Sequence, residues 1–164
     1  MRVDNETGIR NLCEVACHLL NWRPLNAAKK FAIRTVLREA VNKSNPEYKG
    51  NNNRKNCRWV SVSAEPLSAD PNANLVSDHA IPISLLLKNV HNRPGITLDE
   101  LVNLVSEYSV MVLITAAEDN RLTAAGLVKM MPNHLDEQDV LARYKHVGIE
   151  LKPNPSFQPT SSGG

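Results

Sequence analysis

The chain has 164 residues, 42% of them hydrophobic and 22% charged, which suits one ordinary globular domain and excludes an intrinsically disordered chain. Its longest uncharged apolar stretches, 80–87 and 109–117, fall far short of the roughly 20 residues that span a bilayer, so no membrane partner is expected. The net charge of +2 conceals an asymmetry: residues 1–60 hold 12 Lys and Arg against 5 Asp and Glu, and the remainder holds 7 against 12.

A basic half joined to an acidic half is the pattern of a nucleic-acid-binding face beside a metal- or protein-partner-binding one, and equally of two halves that attract each other. The opening Met1-Arg2-Val3-Asp4-Asn5-Glu6 lacks the apolar core of a signal peptide. Three cysteines, an odd number, argue against a disulfide framework and for a reducing compartment. A cytoplasmic location is expected.

Along the chain, Ile9, Leu12, Val15, Ala16 and Leu19 recur at helical spacing and predict an amphipathic helix over 8–20. Pro24 interrupts, and a second helix is predicted from Asn26 to Asn42. Its apolar face is read as Ala28, Phe31, Ala32, Val36 and Ala40, and its other face as Lys29, Lys30, Arg34 and Arg38. Lys43–Asn56, with Pro46 and three successive asparagines, reads as a polar loop. Short strands are predicted within Cys57–Ser63 and Leu75–Ile81, and a helix over Ile83–Val90. Thr97 followed by Glu100 is a capping box that starts a helix to Tyr108; Val110–Ile114 is the clearest strand. Thr115 followed by Glu118 is a second capping box, for a helix running to about Ala125 and stopped by Gly126. A last helix is predicted over Asp136–Val147. From Pro153 onward Pro, Ser, Thr and Gly dominate, and that tail is expected to be disordered.

Three constellations carry chemistry. Cys13 and Cys17 lie one helical turn apart beside His18, but no CxxC knuckle or second ligand pair accompanies them; buried thiols explain them better than a zinc site. Lys29, Lys30, Arg34, Arg38, Lys49, Arg54, Lys55 and Arg58 form a basic run suited to phosphate contacts with DNA or RNA, with Trp59 placed to stack on a base. The bland alternative is a solvated face. In Asp78-His79-Ala80-Ile81-Pro82 an imidazole able to accept a proton near neutral pH stands beside a carboxylate able to hold a divalent cation, at a strand end fixed by proline. On a strand the two side chains point to opposite faces.

Asp78-His79-Ala80-Ile81-Pro82 resembles the first motif, Asp-His-x-x-Pro, of the HNH (His-Me finger) nucleases. The resemblance covers roughly residues 75–125 and implies strand, strand and helix around one divalent metal such as Mg2+. It implies metal-dependent hydrolysis of nucleic-acid phosphodiesters, with His79 as the general base and Asp78 as a metal ligand. Asp119 or Asn120 would complete the metal shell, and Arg121 would steady the phosphate. The sequence departs from the family pattern in having no histidine on the last helix, no Cys-x-x-Cys knuckles and no Gly-Gly after the proline. The expected fold is therefore α+β and mostly helical: a basic helical region over 1–60, then a strand–strand–helix unit within 61–152 with helices inserted between its strands, then a disordered tail over 153–164. Two rival readings are a relative that keeps the fold and binds nucleic acid without cutting it, and a helical protein-interaction module whose acidic C-terminal half meets a protein partner. Thr115 and Glu118 are in any case explained by capping, and an acidic first turn by the helix dipole.

Overall fold

The computed structural model describes residues 5–44, 54–132 and 139–157. The fold is α+β, with about half of these residues helical and one small four-stranded sheet. The chain divides into two compact units, each discontinuous in sequence: Met1–Asn45 with Ile83–Ser109, and Pro46–Pro82 with Val110–Gly164. This differs from a boundary near residue 60. The helices inserted between the strands at 75–79 and 111–115 bury their apolar faces with the N-terminal helices and so belong to the first unit.

That first unit is helical. α1 (Asn5–Asn21) and α2 (Ala27–Lys43) pack on each other and on α4 (Leu98–Glu107), with α3 (Ile83–His91) packed on α4. The core joins Cys13, Ala16 and Leu20 of α1 to Ile33, Leu37 and Val41 of α2 and to Leu86 and Leu101. The predicted faces were partly misplaced: Val15 is 49% and Phe31 72% exposed. On α2, Ile33, Leu37, Ala40 and Val41 offer a second apolar frame at the same 3.6-residue period, and it carries the larger aliphatic side chains. Asn26 caps α2, its side chain accepting from the Lys29 N–H at 2.9 Å. Thr97 and Glu100 form the expected capping box of α4.

The second unit is built on a mixed sheet of β1 (Trp59–Ser61), β2 (Leu75–His79), β3 (Met111–Thr115) and β4 (Leu151–Pro153), in the order β2-β3-β1-β4. β2 and β3 are antiparallel, with Asp78 opposite Val112 and His79 opposite Met111; β1 runs parallel to β3, and β4 antiparallel to β1. α5 (Ala116–Ala124) follows β3 directly through the Thr115–Glu118 capping box, and Gly126 ends it at φ +72°. Alternation along β3 gives the sheet two buried faces. Val112 and Ile114 pack with Leu122, Tyr144 and Ile149, whereas Met111 and Leu113 pack with Cys57, Val60 and Ala64.

The C-terminal part of the chain differs from expectation in two places. The helix expected over Asp136–Val147 is only α6 (Ala142–His146) among the described residues, because 139–141 form a turn in which the Asp139 carboxylate accepts from the Leu141 N–H at 3.0 Å. The expected disorder from Pro153 onward does not hold for 153–157. Asn154 is buried and donates to the carbonyls of Arg54 and Cys57 at 3.2 and 2.8 Å, anchoring the chain beyond β4. The rest of that tail, and most of the loop expected over Lys43–Asn56, lie outside the described residues.

Candidate functional site

The C-terminal end of β2 delivers Asp78 to the sheet face that packs against α5 and α6, the side shared by Val76 and Ala80. There Asp78 Oδ2 accepts two short hydrogen bonds, from Arg143 Nη2 and from the Tyr144 hydroxyl, each at 2.6 Å. Arg143 is 1% exposed. Its guanidinium also donates to the carbonyls of Ala80 at 3.1 Å and Leu127 at 2.6 Å, and to that of His79. A buried guanidinium needs acceptors around its whole fork, and the strand end and the Asp78 carboxylate supply them. Burial, and next the Asp78 charge, push the Tyr144 hydroxyl well above its ordinary range, so Tyr144 stays a neutral donor.

Asp119, in the first turn of α5, lies within electrostatic reach of both Asp78 and Arg143. Burial and then the Asp78 charge raise its carboxyl above the usual value, while Arg143 lowers it. The sequence-predicted pair Asp78 and Asp119 is thus placed within electrostatic reach of one another. His79 is not: it points to the opposite sheet face, with Ser77 and Leu75, and its Nε2 is buried away from solvent. Asn120 is exposed on α5. Arg121 pairs with Glu118 at 3.7 Å and donates to the Val147 carbonyl at 3.3 Å, so it braces α5 against the end of α6.

A divalent cation fits this donor set poorly. No group of three His, Cys, Asp or Glu side chains suited to a metal occurs among the described residues, and the Asp78 carboxylate already faces a guanidinium. Two like unit charges 4 Å apart repel by about 4 kcal/mol near a protein surface, and a divalent ion doubles that. Arg143 supplies the positive charge that a metal would bring. Burial pushes the thiols of Cys13 and Cys57 each up to about 11, which keeps them protonated at neutral pH.

The basic residues fall into two kinds. Lys30, Arg34 and Arg38 are exposed at four-residue spacing along one stripe of α2, beside exposed Phe31. Lys29, by contrast, turns back to the carbonyls of Trp22 and Pro24 at 2.8 and 3.1 Å and lies over the Trp22 ring. In the second unit Arg54 donates to the carbonyls of Ser68, Asp70 and Ala73, a structural use. Arg58 lies over the Phe157 ring at 5.7 Å, and Lys55 is exposed. Lys49 lies outside the described residues.

Sequence reasoning missed Arg143 and Tyr144. The only local signal was an arginine flanked by Leu141, Ala142 and Tyr144, an apolar setting that suits a buried cation. No helix among the described residues is long and apolar enough to cross a membrane. Compared with known proteins, the chain matches no family model, no curated protein and no solved structure.

Proposed function

We propose that this chain binds nucleic acid through the outward stripe of α2 and that its HNH-like unit holds an arginine where the related nucleases hold a metal. The observation that supports binding is the stripe itself: Lys30, Arg34 and Arg38 stand exposed with the 72% exposed Phe31 among them. The cations suit phosphates along a backbone, and an unburied aromatic ring beside them suits stacking on an unpaired base. The Arg143–Asp78 pair supports the second half of the proposal.

A second reading is favoured by one arrangement. β2, β3 and α5 follow the strand, strand and helix order of the HNH resemblance, and Asp78 and Asp119 approach each other across it. On that reading the chain hydrolyses phosphodiesters, with Asp78 and Asp119 or Asn120 around Mg2+ and His79 as base. It requires Arg143 to release Asp78 and His79 to reach the same side of the sheet.

One experiment separates the two. Duplex and single-stranded DNA and RNA are incubated with the protein in Mg2+, Mn2+ or EDTA, and both mobility shift and cleavage are scored. The expected result is salt-sensitive binding that is indifferent to EDTA and is lost when Lys30, Arg34 and Arg38 are changed to Glu. Absence of binding at low salt, or binding untouched by that charge reversal, would reject the proposal. Cleavage that needs metal and disappears in Asp119→Asn and His79→Ala would establish the second reading instead.

A further inference from the structure

Within the second unit, an open depression of about 870 Å³ lies on the sheet face that Asp78 does not share. Nearly buried Leu113 forms its floor with Leu75 and Ser77, while exposed Lys55, Asn72 and Asn74 stand at its rim. We infer that this depression is a binding site for a nucleoside phosphate, whether a free nucleotide or one nucleotide unit of a strand.

Three observations carry the inference. The first is size, since small-molecule sites occupy roughly 300–1,000 Å³. The second is the chemistry of the lining. Arg54 and Lys55 contribute positive charge, Ser156 contributes a hydroxyl and Asn72 and Asn74 contribute amides, and no carboxylate stands among the described residues that line it. A cationic, donor-rich rim over a small apolar floor matches a phosphate joined to a flat heterocycle. A neutral sugar would call for carboxylate acceptors and an aromatic platform, and the described lining has neither. The third is preorganisation. Arg54 cannot itself reach a ligand, because its guanidinium already holds the carbonyls of Ser68 at 3.1 Å and Ala73 at 2.7 Å, and that of Asp70. It fixes the 68–73 wall instead. Asp70 Oδ1 accepts from the Asn72 N–H at 2.9 Å, and buried Asn154 ties the opposite wall to Arg54 and Cys57. A wall held by its own hydrogen bonds need not be ordered by the ligand, which favours binding. The inference stands apart from the role given to α2.

Titration of the 15N-labelled full chain with adenosine and uridine 5′-monophosphate, followed by NMR, tests it. Adenosine, inorganic phosphate and a short single-stranded oligonucleotide serve as comparison ligands. Saturable shifts at Lys55, Asn72, Asn74 and Ser77 are expected, with adenosine and phosphate each at least about tenfold weaker than the monophosphates. Lys55→Glu weakens binding about tenfold, because it replaces a charge-assisted contact by repulsion. Ala69→Trp, a substitution at an exposed lining position, blocks the space itself. No saturable shift, shifts confined to other surfaces, adenosine binding as tightly as its phosphate, or affinity unchanged in either variant each overturns the inference. Tighter binding of the oligonucleotide than of the mononucleotides assigns the site to a strand, and equal or weaker binding assigns it to free nucleotides.

Discussion

Arg143 ties the end of β2 to the chain around Leu127. Its side chain is buried, and four acceptors besides its neighbour Tyr144 close around it: the Asp78 carboxylate and the carbonyls of His79, Ala80 and Leu127. Removing one partner of a buried ion pair costs more than the pair contributes, because the remaining charge stays desolvated. Arg143→Ala is therefore expected to destabilise the fold by about 3 kcal/mol in urea unfolding, the low end of the range for such pairs, since Asp78 retains 23% side-chain exposure. Asp78→Ala should cost less in that background than in the native chain. A loss below about 1 kcal/mol would show that the guanidinium does not organise the strand end. Asp119 makes a prediction of opposite sense. Its carboxyl is raised above the ordinary 3.8, chiefly by burial and then by Asp78. In the pH range just above 3.8 the folded state therefore holds the proton that the unfolded state has lost, and stability falls as pH rises through that window. Asp119→Asn should accordingly raise the unfolding midpoint at pH 7 relative to the native chain, with the gain shrinking toward pH 3. A gain independent of pH would mean that the carboxylate charge is not its source. Neither partner of Asp78 was legible in the sequence, because they lie 65 and 66 positions away and no local signal marks the contact.

The elements separate what sequence can specify from what it cannot. Both capping boxes were legible because a Thr and a Glu three residues apart satisfy helix-end N–H groups locally, whatever surrounds them. The surroundings nonetheless set their worth. At α4 the Glu100 carboxylate is solvent-exposed and accepts from the Thr97 N–H and hydroxyl at 2.8 and 2.9 Å. At α5 Glu118 is 4% exposed, and its Oε2 accepts from the Thr115 N–H, the Thr115 hydroxyl and the buried Ser61 hydroxyl of β1 at 2.9, 3.1 and 2.6 Å. The second box thus locks a helix to a strand. Replacing Glu100 by Ala should cost about 1 kcal/mol, whereas Glu118→Ala, which also leaves the buried Ser61 O–H without its acceptor, should cost about 3 kcal/mol. Equal losses in chemical denaturation would refute the link to β1. That link, the β1–β3 parallel pairing and the added edge strand β4 could not be read from local patterns, since they join residues far apart in sequence. The misplaced face of α2 has a different cause: its apolar residues satisfy the helical period in two frames, and only packing chooses between them.

At the scale of the whole chain, the asymmetry of charge was legible at once, but its meaning depends on which cations the fold spends internally. Arg54 serves carbonyls and Lys29 folds back on Trp22, so the excess of positive charge in residues 1–60 overstates what a phosphate backbone would meet. On α2 itself the count is Lys30, Arg34 and Arg38. Counterion release turns such a count into a measurable slope, because each phosphate neutralised on a duplex contributes about −0.9 to the dependence of log K on log salt, and about −0.7 on a single strand. If the three cations contact phosphates, changing any one to Gln should reduce the slope by about one such increment while weakening binding alike for all sequences. Phe31→Ala should leave that slope unchanged and weaken only single-stranded binding, since a stacked ring neutralises no phosphate and needs an unpaired base. Fluorescence anisotropy across a salt series reads both quantities. A slope that does not change with Lys30, Arg34 or Arg38 would place the phosphate contacts elsewhere, and loss of duplex binding in Phe31→Ala would show that the ring acts through packing rather than stacking.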